Sequence, residues 1–442
     1  MDRRLSACLD TEILNKSKTS SAPKSPSMNL LKKDFFAALM MSGMPEIPKD
    51  FSVVPLAQLI PFTTLAEIDG FIRLFDRVTT RPAWQQFVTT AAPKIAQLPR
   101  SEVCFFTAWD FHICPEQGWQ LIECNDNGSG FLFAALINRL FYEHSGLAKE
   151  RAIEEPPSMA AFTQQLAASI ERETQEFFGA RPEGLFYVLE ASDALRSGKF
   201  YREFILLRDL LRKQGCHSEI GTPEDLRWDG NQLLVDRQPV VFVINRCTDF
   251  FWAAEAFSPL RAAYLEGRVY VAPNPFTYAT RSDKRLFEGL ALPTWDQALG
   301  ILPEERAILS AHVPATYLIR EENLDEIAKA KSEFFFKPAH GFASHGVLTS
   351  SQVGKRRLRQ LLSKGIAYVA QKTVPKPTLI SQGKEGKETL WTDLRVWAFR
   401  GERYLISGRA SKQRDLLDLA PPGGWLATFE ARTTGAGAGS SE

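Results

Sequence analysis

The sequence lacks a long apolar run, a cysteine motif and a large net charge, and each absence argues against a class of protein. No stretch of about 18 consecutive apolar residues occurs, which argues against a membrane-spanning helix. Lysines and arginines number 53 against 52 aspartates and glutamates, so the charge balance indicates neither nucleic acid nor a membrane surface as a partner. The six cysteines form no CxxC pair, and this usage favours reduced thiols in a cytoplasmic protein.

What is present is the composition of a soluble globular protein. Hydrophobic residues make up 44% and charged residues 24% of the 442 residues, which is enough for two or three domains with buried cores. Residues 1–28 contain lysine, serine and proline without an apolar core, and residues 433–442 are rich in glycine, alanine and serine. Both ends are predicted to be disordered tails.

The order of the periodic segments predicts an α/β protein built from three parts. Residues 29–180 combine helical spacing with a hairpin, so we expect an N-terminal helical segment there. Residues 183–280 alternate short β-rich runs with helices, which is typical of a small open α/β domain. Residues 281–432 repeat this alternation with more glycine, and a polar insertion at residues 375–387 is predicted to be a mobile loop.

A predicted hairpin within residues 105–130 carries two carboxylates on one face. Its Pro-Glu-Gln-Gly turn places Asp110 directly opposite Glu123, and Asn125 projects from the same face because side chains alternate along a strand. Like charges that face each other destabilise a sheet, and a divalent cation bound by these three oxygen ligands would remove the conflict. The alternative is an exposed hairpin whose carboxylates face water.

Three histidines could suggest a metal site or a general base. His112 should face Leu121 across the hairpin, and we interpret it as a packed residue rather than a ligand. His340 and His345 lie in a glycine-containing loop, where solvent exposure or phosphate contact is the more common role.

Lys337 lies at the end of an apolar strand, immediately before that loop. The strand FFFKP followed by residues 341–346 places an ammonium group beneath backbone N–H groups, an arrangement suited to phosphate. Gly341, Ser344 and Gly346 are the predicted loop contacts. The segment matches neither the P-loop nor the dinucleotide-binding glycine pattern, and the alternative is a strand-end lysine that extends into solvent.

Asp393 and Arg395 lie two residues apart on one predicted strand, so their side chains face the same side. Arg409 and Lys412 follow at the end of the next strand and complete a positive rim. Arginine suits bidentate contacts with phosphate or carboxylate groups, and it suits charge that develops during group transfer. The alternative is a structural pair between Asp393 and Arg395 on a solvated sheet face.

These motifs together resemble those of the ATP-grasp superfamily. Asp283-Lys284 resembles the segment of the family's first lysine, and Lys337 with its loop resembles the second. Gln371-Lys372 resembles the adenine hinge. Each of these segments is short and unspecific by itself, so the resemblance depends on their common order.

The remaining family motifs are present in a rotated order. Asp393 and Arg395 resemble the strand that contacts ribose and phosphate, and Arg409 resembles the family's arginine. The hairpin with Asp110 and Glu123 resembles the metal-binding strands, which the family places last and this chain places first. We therefore expect a circularly permuted ATP-grasp fold, together with a small open α/β domain.

The resemblance implies ATP-dependent ligation. A carboxylate takes the γ-phosphoryl group as an acyl phosphate, an amine attacks it, and ADP and phosphate leave. The implied cofactors are ATP and Mg2+ or Mn2+, the implied catalytic residues are Arg395 and Arg409, and the implied partners are a small carboxylate and an amine such as an amino acid or peptide. Two alternatives are a phosphotransferase on the same scaffold and a nucleotide-binding module without turnover.

Overall fold

A computed structural model describes residues 52–114, 118–147, 152–198, 200–341, 346–383, 386–414 and 423–432, together with Ala37 and Leu417. The predicted tails, residues 1–28 and 433–442, lie outside these residues. The described part contains both helices and strands and forms three β-sheets. Within it, no helix is both long enough and apolar enough to cross a membrane.

Helices and strands alternate along the described residues. In chain order the strands are β1 (Val53–Pro61), β2 (Thr107–Cys114), β3 (Gly118–Asn125), β4 (Leu185–Leu189), β5 (Ser218–Gly221), β6 (Arg227–Trp228), β7 (Leu233–Val235), β8 (Gln238–Asn245), β9 (Tyr270–Ala272), β10 (Thr316–Leu318), β11 (Phe334–Pro338), β12 (Tyr368–Lys372), β13 (Thr378–Gly383), β14 (Gly386–Thr392), β15 (Leu394–Phe399), β16 (Glu402–Ser411) and β17 (Gly424–Ala431). In chain order the α-helices are α1 (Phe62–Thr79), α2 (Pro82–Thr89), α3 (Phe131–His144), α4 (Met159–Phe178), α5 (Ser192–Ser197), α6 (Tyr201–Lys213), α7 (Ser258–Leu265), α8 (Pro275–Thr277), α9 (Leu286–Ala291), α10 (Asp296–Leu299), α11 (Pro303–His312), α12 (Leu324–Lys329) and α13 (Lys355–Ser363). A π-helical turn, Tyr278–Ser282, follows α8.

The largest sheet joins strands from the two ends of the described chain. Its path runs β1-β17-β16-β15-β2-β3, and the β13–β14 hairpin attaches to β16. β1 runs parallel to β17, whereas β2 pairs antiparallel with both β3 and β15. Asp110 and Arg395 are therefore direct neighbours in the sheet, although they are 285 positions apart in the chain.

The hairpin register places Asp110 opposite Glu123, as predicted, through a bulge that the sequence did not reveal. Nearer the turn, His112 pairs with Gln120, so the prediction that it faces Leu121 is wrong. The register shifts by one position between these two parts of the hairpin, because the residue that precedes Glu123 is an extra residue in β3. The bulge thus brings the two carboxylates face to face.

Two segments form strands that the sequence analysis did not predict. The N-terminal segment is not purely helical, because residues 53–61 form β1. Its prolines at positions 55 and 61 disfavour a helix interior and are tolerated on an edge strand.

The polar insertion predicted as a mobile loop instead contributes to the β13–β14 hairpin. Six residue pairs join its two strands, and β14 joins the main sheet through Trp391 and Thr392, which lie beyond the polar insertion.

Two smaller sheets form the rest of the architecture. In the region predicted as an open α/β domain, β4, β5, β8 and β9 run parallel, with β7 and β6 attached beside β8. Nearer the C-terminus, β10, β12 and β11 form an antiparallel sheet that packs against α13. Lys337 lies on β11 of this last sheet. The residues predicted to bind nucleotide are therefore distributed over two sheets.

Buried apolar clusters cover both faces of the main sheet. On one face, α1, α2, α9 and α11 pack against Trp109 and Phe111 of β2. On the other face, α3 and α4 pack against the sheet near Ala108. Because side chains alternate along a strand, Asp110 and His112 project from the same face as Ala108. This face carries the polar side chains of the candidate site.

The substitution Phe71→Ala tests the packing of α1 on the main sheet. Phe71 is 1% exposed, and its ring contacts those of Phe111 and Trp119. We expect its removal to lower the free energy of unfolding by about 3–5 kcal/mol, because a cavity remains. Phe62→Ala is the matched control, since Phe62 is on the same helix but is 50% exposed. Its effect should stay below about 0.5 kcal/mol in denaturant unfolding, and equal effects would contradict the packing.

Candidate functional site

Asp110 is a buried carboxylate held by two guanidinium groups. Arg395 on β15 donates to both of its oxygens, with an Nε–Oδ1 distance of 2.6 Å and an Nη2–Oδ2 distance of 2.7 Å. Arg409 on β16 also donates to Oδ2, at 2.9 Å. Burial would raise the pKa of Asp110, but the two arginines outweigh it and hold this pKa below its usual value. The expected repulsion between Asp110 and Glu123 is therefore offset by two positive charges.

Asp393 orients Arg409 rather than Arg395. Its Oδ1 accepts a hydrogen bond from the backbone N–H of Arg409 at 2.8 Å, and its Oδ2 accepts one from Nε at 2.8 Å. The alternative of a structural pair between Asp393 and Arg395 is thus wrong, because the hydrogen bonds of Arg395 go to Asp110. Asp110 on β2 holds Arg395, and Asp393, directly before β15, holds Arg409, so both guanidinium groups have defined orientations.

Glu123 and Asn125 lie beside Lys284. The Nζ of Lys284 is 3.7 Å from Oε2 of Glu123, and Nδ2 of Asn125 donates to Oε1 at 2.9 Å. Burial would raise the pKa of Glu123, but Lys284 and other positive groups hold it below its usual value. Lys284 also donates to the carbonyl oxygen of Gly341 at 2.7 Å. The lysine predicted from the Asp-Lys motif therefore contacts both the hairpin and the start of the glycine-containing loop.

Lys337 reaches the same cluster from the three-stranded sheet. Its Nζ donates to Oε1 of Gln371 at 2.6 Å and lies 3.4 Å from the carbonyl oxygen of Ile122. Burial lowers the pKa of Lys337 to about 8, and nearby Glu123 opposes this shift. Gln371, predicted as part of the adenine hinge, thus orients a lysine through its side chain, whereas the adjacent Lys372 is exposed.

The glycine-containing loop is described at its two ends. Ser344 lies outside the described residues, and its contact with phosphate stays a prediction. Gly341 precedes the gap and accepts the lysine hydrogen bond. Gly346 follows it with a φ of +76°, where glycine is favoured, and its carbonyl oxygen accepts a hydrogen bond from the Tyr368 hydroxyl at 3.0 Å. The described ends of the loop are thus anchored beside the two lysine segments.

The oxygen ligands predicted for a divalent cation fit that role in part. Glu123 offers a carboxylate and Asn125 an amide oxygen, which are hard donors of the kind that Mg2+ accepts. Both oxygens of Asp110 instead accept hydrogen bonds from arginines. Of the residues that the structure describes, no three His, Cys, Asp or Glu side chains form a group that could hold a metal ion. The two remaining donors suit a Mg2+ that takes its other ligands from water and phosphate.

Arg246 is a buried cation that the sequence analysis missed. It follows β8 at the carboxyl edge of the parallel sheet, and its Nη2 donates to the carbonyl oxygen of Gly128 at 2.9 Å and to the Ser129 hydroxyl. Its Nη1 is buried without a hydrogen-bond partner among the described residues. Its place directly after an apolar strand could have identified it, because ligands of open α/β sheets bind at this edge.

Glu190 follows β4 at the same edge of the sheet. Its Oε1 accepts a hydrogen bond from the backbone N–H of Ala191 at 2.8 Å. Burial raises the pKa of Glu190 to about 7, although this hydrogen bond and the charge of Arg246 act in the opposite direction. The edge therefore combines a buried cation with a carboxyl group that titrates near neutral pH.

Buried ion pairs connect the hairpin to the segment that carries Lys284. Arg281, in the π-helical turn, lies 2.7 Å from a carboxylate oxygen of Asp76 and 3.3 Å from one of Asp126. Asp126 directly follows Asn125 in the chain. These ion pairs fix the position of Asn125 relative to Lys284. No local sequence pattern could have indicated the pairs, because the partners are far apart in sequence.

Comparison with known proteins identifies the fold. No protein-family model matches the chain, and no curated protein sequence matches it. A glutathione synthetase-like effector from Globodera pallida, solved in its apo form, superposes on it with a TM-score of 0.56 at 11% sequence identity. The likeness covers 92% of this chain and 99% of that chain. The chain has the ATP-grasp fold.

The ATP-grasp fold predicted from the motifs is thereby confirmed. A sequence identity this low establishes the fold and not the activity. A provisionally assigned gamma-glutamylcysteine synthetase from Methylobacillus flagellatus KT superposes with a TM-score of 0.45 at 12% identity, over 83% of this chain and 88% of that chain. An ATP-grasp RimK-domain protein from Sphaerobacter thermophilus DSM 20745 gives 0.28 at 18% identity, over 45% and 69%. The circular permutation, the domain boundaries and the site residues stay predictions.

The substitution Glu190→Gln should remove a pH dependence from the stability of this protein. Its pKa is about 7 in the folded state against an ordinary value of 4.5, so the unfolded chain loses this proton first as pH rises. The stability that the protonated group contributes is complete below about pH 4.5 and is lost as pH rises to about 7. The difference in Tm, variant minus wild type, should therefore increase between about pH 4.5 and 7 and stay constant at higher pH. Calorimetry at a series of pH values measures the difference, and a constant difference would contradict the raised pKa.

Proposed function

We propose that this protein is an ATP-dependent, Mg2+-dependent ligase that joins a carboxylate to an amine through an acyl phosphate, with release of ADP and phosphate. The convergence of four cationic side chains on the carboxylates of one hairpin carries the proposal. The cations are Lys284, Lys337, Arg395 and Arg409. Phosphoryl transfer needs positioning and charge neutralisation more than covalent help from the protein, and this cluster supplies both.

The two arginines are suited to stabilise a transferring phosphoryl group. The hydrogen bonds that hold Arg395 and Arg409 use their Nε and Nη2 groups. Nη1 of each side chain has no such bond among the described residues and can donate to phosphate oxygens. Because the carboxylates fix both guanidinium groups beforehand, little reorganisation is needed when charge develops in the transition state.

The lysines and the hairpin oxygens are suited to hold the polyphosphate of ATP. Lys284 and Lys337 reach the cluster from two different segments, and each is oriented by an oxygen acceptor. Glu123 and Asn125 would hold the Mg2+, which neutralises charge on the phosphates when it is bound. ATP binding would then add contacts between the three-stranded sheet and the main sheet, which already meet at Lys337 and Ile122.

The carboxylate substrate is proposed to bind next to this cluster, at Arg246. A guanidinium group suits a carboxylate, and this one carries a buried Nη1 without a partner among the described residues. The residues that it does contact, Gly128 and Ser129, continue directly from β3. A carboxylate held there would be joined to the metal hairpin by a few residues of chain.

Release of ADP in the presence of pooled carboxylates and amino acids tests the proposed reaction. Ligation yields free phosphate and an amide, whereas a phosphotransferase leaves a stable phosphorylated product, so analysis of the products separates the two. A protein that binds ATP and releases no ADP with any pool would support the non-catalytic alternative.

In the active combination, Glu123→Gln should reduce ADP release roughly 100-fold or more, because a metal ligand and the negative charge beside Lys284 are both lost. Glu67→Gln is the matched control. Glu67 is exposed and accepts a hydrogen bond from Trp119 of the same hairpin at 2.9 Å, away from the cluster. Turnover assays over a range of Mg2+ concentrations measure both variants. Full activity of Glu123→Gln would refute the metal assignment.

The substitution Lys337→Ala should weaken ATP binding about 10-fold or more, because charge-assisted hydrogen bonds to phosphate are lost. Lys355→Ala is the control, since Lys355 lies on α13 of the same structural unit and pairs with Asp325 at the surface, at 2.6 Å. Isothermal titration calorimetry gives the two dissociation constants. Unchanged affinity of the Lys337 variant would show that this ammonium does not contact the phosphates.

A further inference from the structure

His340 is a partly exposed histidine to which the proposed function above assigns no role. The carbonyl groups on both sides of it accept hydrogen bonds from Lys284. That of Ala339 accepts one from the backbone N–H at 3.4 Å, and that of Gly341 accepts one from Nζ at 2.7 Å. The His340 side chain is 40% exposed. Its backbone is therefore fixed beside a lysine of the proposed phosphate site, while a bound molecule can reach its side chain.

One ring nitrogen of His340 faces a tyrosine and a carboxylate. Nδ1 lies 3.4 Å from the hydroxyl oxygen of Tyr278 and 3.7 Å from Oδ2 of Asp283. Asp283 is 1% exposed, and Arg285 holds it by donating to both of its oxygens. A carboxylate oxygen this close favours the proton of the neutral ring on Nδ1. The lone pair is then on Nε2, which has no hydrogen-bond partner among the residues that the structure describes.

The same contacts suit this ring to accept a proton. A histidine with an ordinary pKa of about 6.5 is already mostly neutral at pH 7. The protein around the ring partly excludes water and lowers the pKa of His340 further, which Asp283 opposes and Arg285 and Lys284 reinforce. A neutral imidazole that is oriented by a carboxylate can take a proton at its second nitrogen, and the carboxylate then stabilises the imidazolium.

His340 also contacts the segments of both proposed subsites. Lys284, of the phosphate site, holds its backbone on both sides. Phe251 belongs to the segment that follows Arg246, where the carboxylate is proposed to bind, and its ring packs edge-on against those of Tyr278 and His340, with centroid distances of 5.3 Å. An acyl phosphate joins a carboxylate to a phosphate, so the bond that an amine must attack would lie between these two segments.

We propose that Nε2 of His340 is the general base that takes a proton from the amine substrate. An amine is an ammonium ion at neutral pH and has no lone pair with which to attack. After His340 takes one proton, the nitrogen forms a bond to the acyl carbon, the bond between this carbon and the phosphate oxygen breaks, and the second proton leaves on the released phosphate. This inference rests on the proposed function, because it requires an acyl phosphate and an amine.

Two acceptors test the proposal in the variant His340→Ala, with the active carboxylate and amine from the ADP-release screen. We expect amide formation at pH 7 to fall about 100-fold, which is the effect of a lost general base. Hydroxylamine is uncharged at this pH and needs no base beforehand, so hydroxamate formation from the same acyl phosphate should stay within about twofold of the wild type. Added imidazole should restore part of the amide formation.

His217→Ala is the matched control for this substitution. The His217 side chain is 55% exposed and precedes β5 at the amino edge of the parallel sheet, the edge opposite to Arg246. This variant should form both products like the wild type, and thermal unfolding should show that each variant is folded. Unchanged amide formation by His340→Ala overturns the inference. An equal loss of amide and hydroxamate also overturns it, because that pattern indicates a phosphate contact or a structural role.

The wild type separates this inference from the proposed function. If it releases no ADP with any pool or with hydroxylamine, both fail, whereas hydroxamate formation supports the ligase proposal whatever the role of His340.

If His340→Ala does not fold, the pH dependence of the wild type decides. With saturating amine, amide formation should be level above about pH 6.5, where the base is unprotonated. A rate that rises about tenfold per pH unit up to about pH 9 would show an amine that ionises without a base, which overturns the role of His340.

Discussion

A single buried carboxylate, shared between two arginines, connects the early and late parts of this chain. Asp110 lies on β2, whereas Arg395 and Arg409 lie on β15 and β16, 285 and 299 positions further on. Loss of the carboxylate would leave two guanidinium groups near each other without this partner, which costs much more than loss of an exposed ion pair. The same contacts orient the two side chains that we assign to phosphoryl transfer, so the stability of the sheet and the geometry of the site depend on one interaction.

The two lysines are oriented differently from the arginines, and this difference matters for function. Lys284 donates to the carbonyl oxygen of Gly341 and Lys337 to the side chain of Gln371, so neither is fixed by a direct carboxylate hydrogen bond. A lysine that donates to neutral acceptors can replace them with phosphate oxygens. This exchange costs less free energy than breaking the two hydrogen bonds between an arginine and a carboxylate. In the proposed function, the arginines would thus be preorganised, whereas the lysines would adapt to the nucleotide.

The segment after β3 joins the β2–β3 hairpin to the carboxyl edge of the parallel sheet. Asp126 is held by Arg281, and Gly128 and Ser129 are held by Arg246. Buried cations therefore anchor both parts of a short connection. In the proposed function, a substrate bound at Arg246 would be positioned relative to the β2–β3 hairpin by this connection rather than by a flexible linker.

The sequence by itself determined the α/β class, the hairpin with Asp110 opposite Glu123, and the two lysine segments. These features follow from local physics, namely the period-two alternation of strands, turn residues and charged side chains at strand ends. Only the tertiary structure decided that Asp110 binds two arginines, that Asp393 holds Arg409, and that Arg246 contacts Gly128 and Ser129. Such ion pairs join residues hundreds of positions apart and leave no periodic signal, and the bulge before Glu123 depends on strand partners rather than on its own sequence. The β13–β14 hairpin likewise joins the main sheet through β16, a partner that lies outside its own sequence.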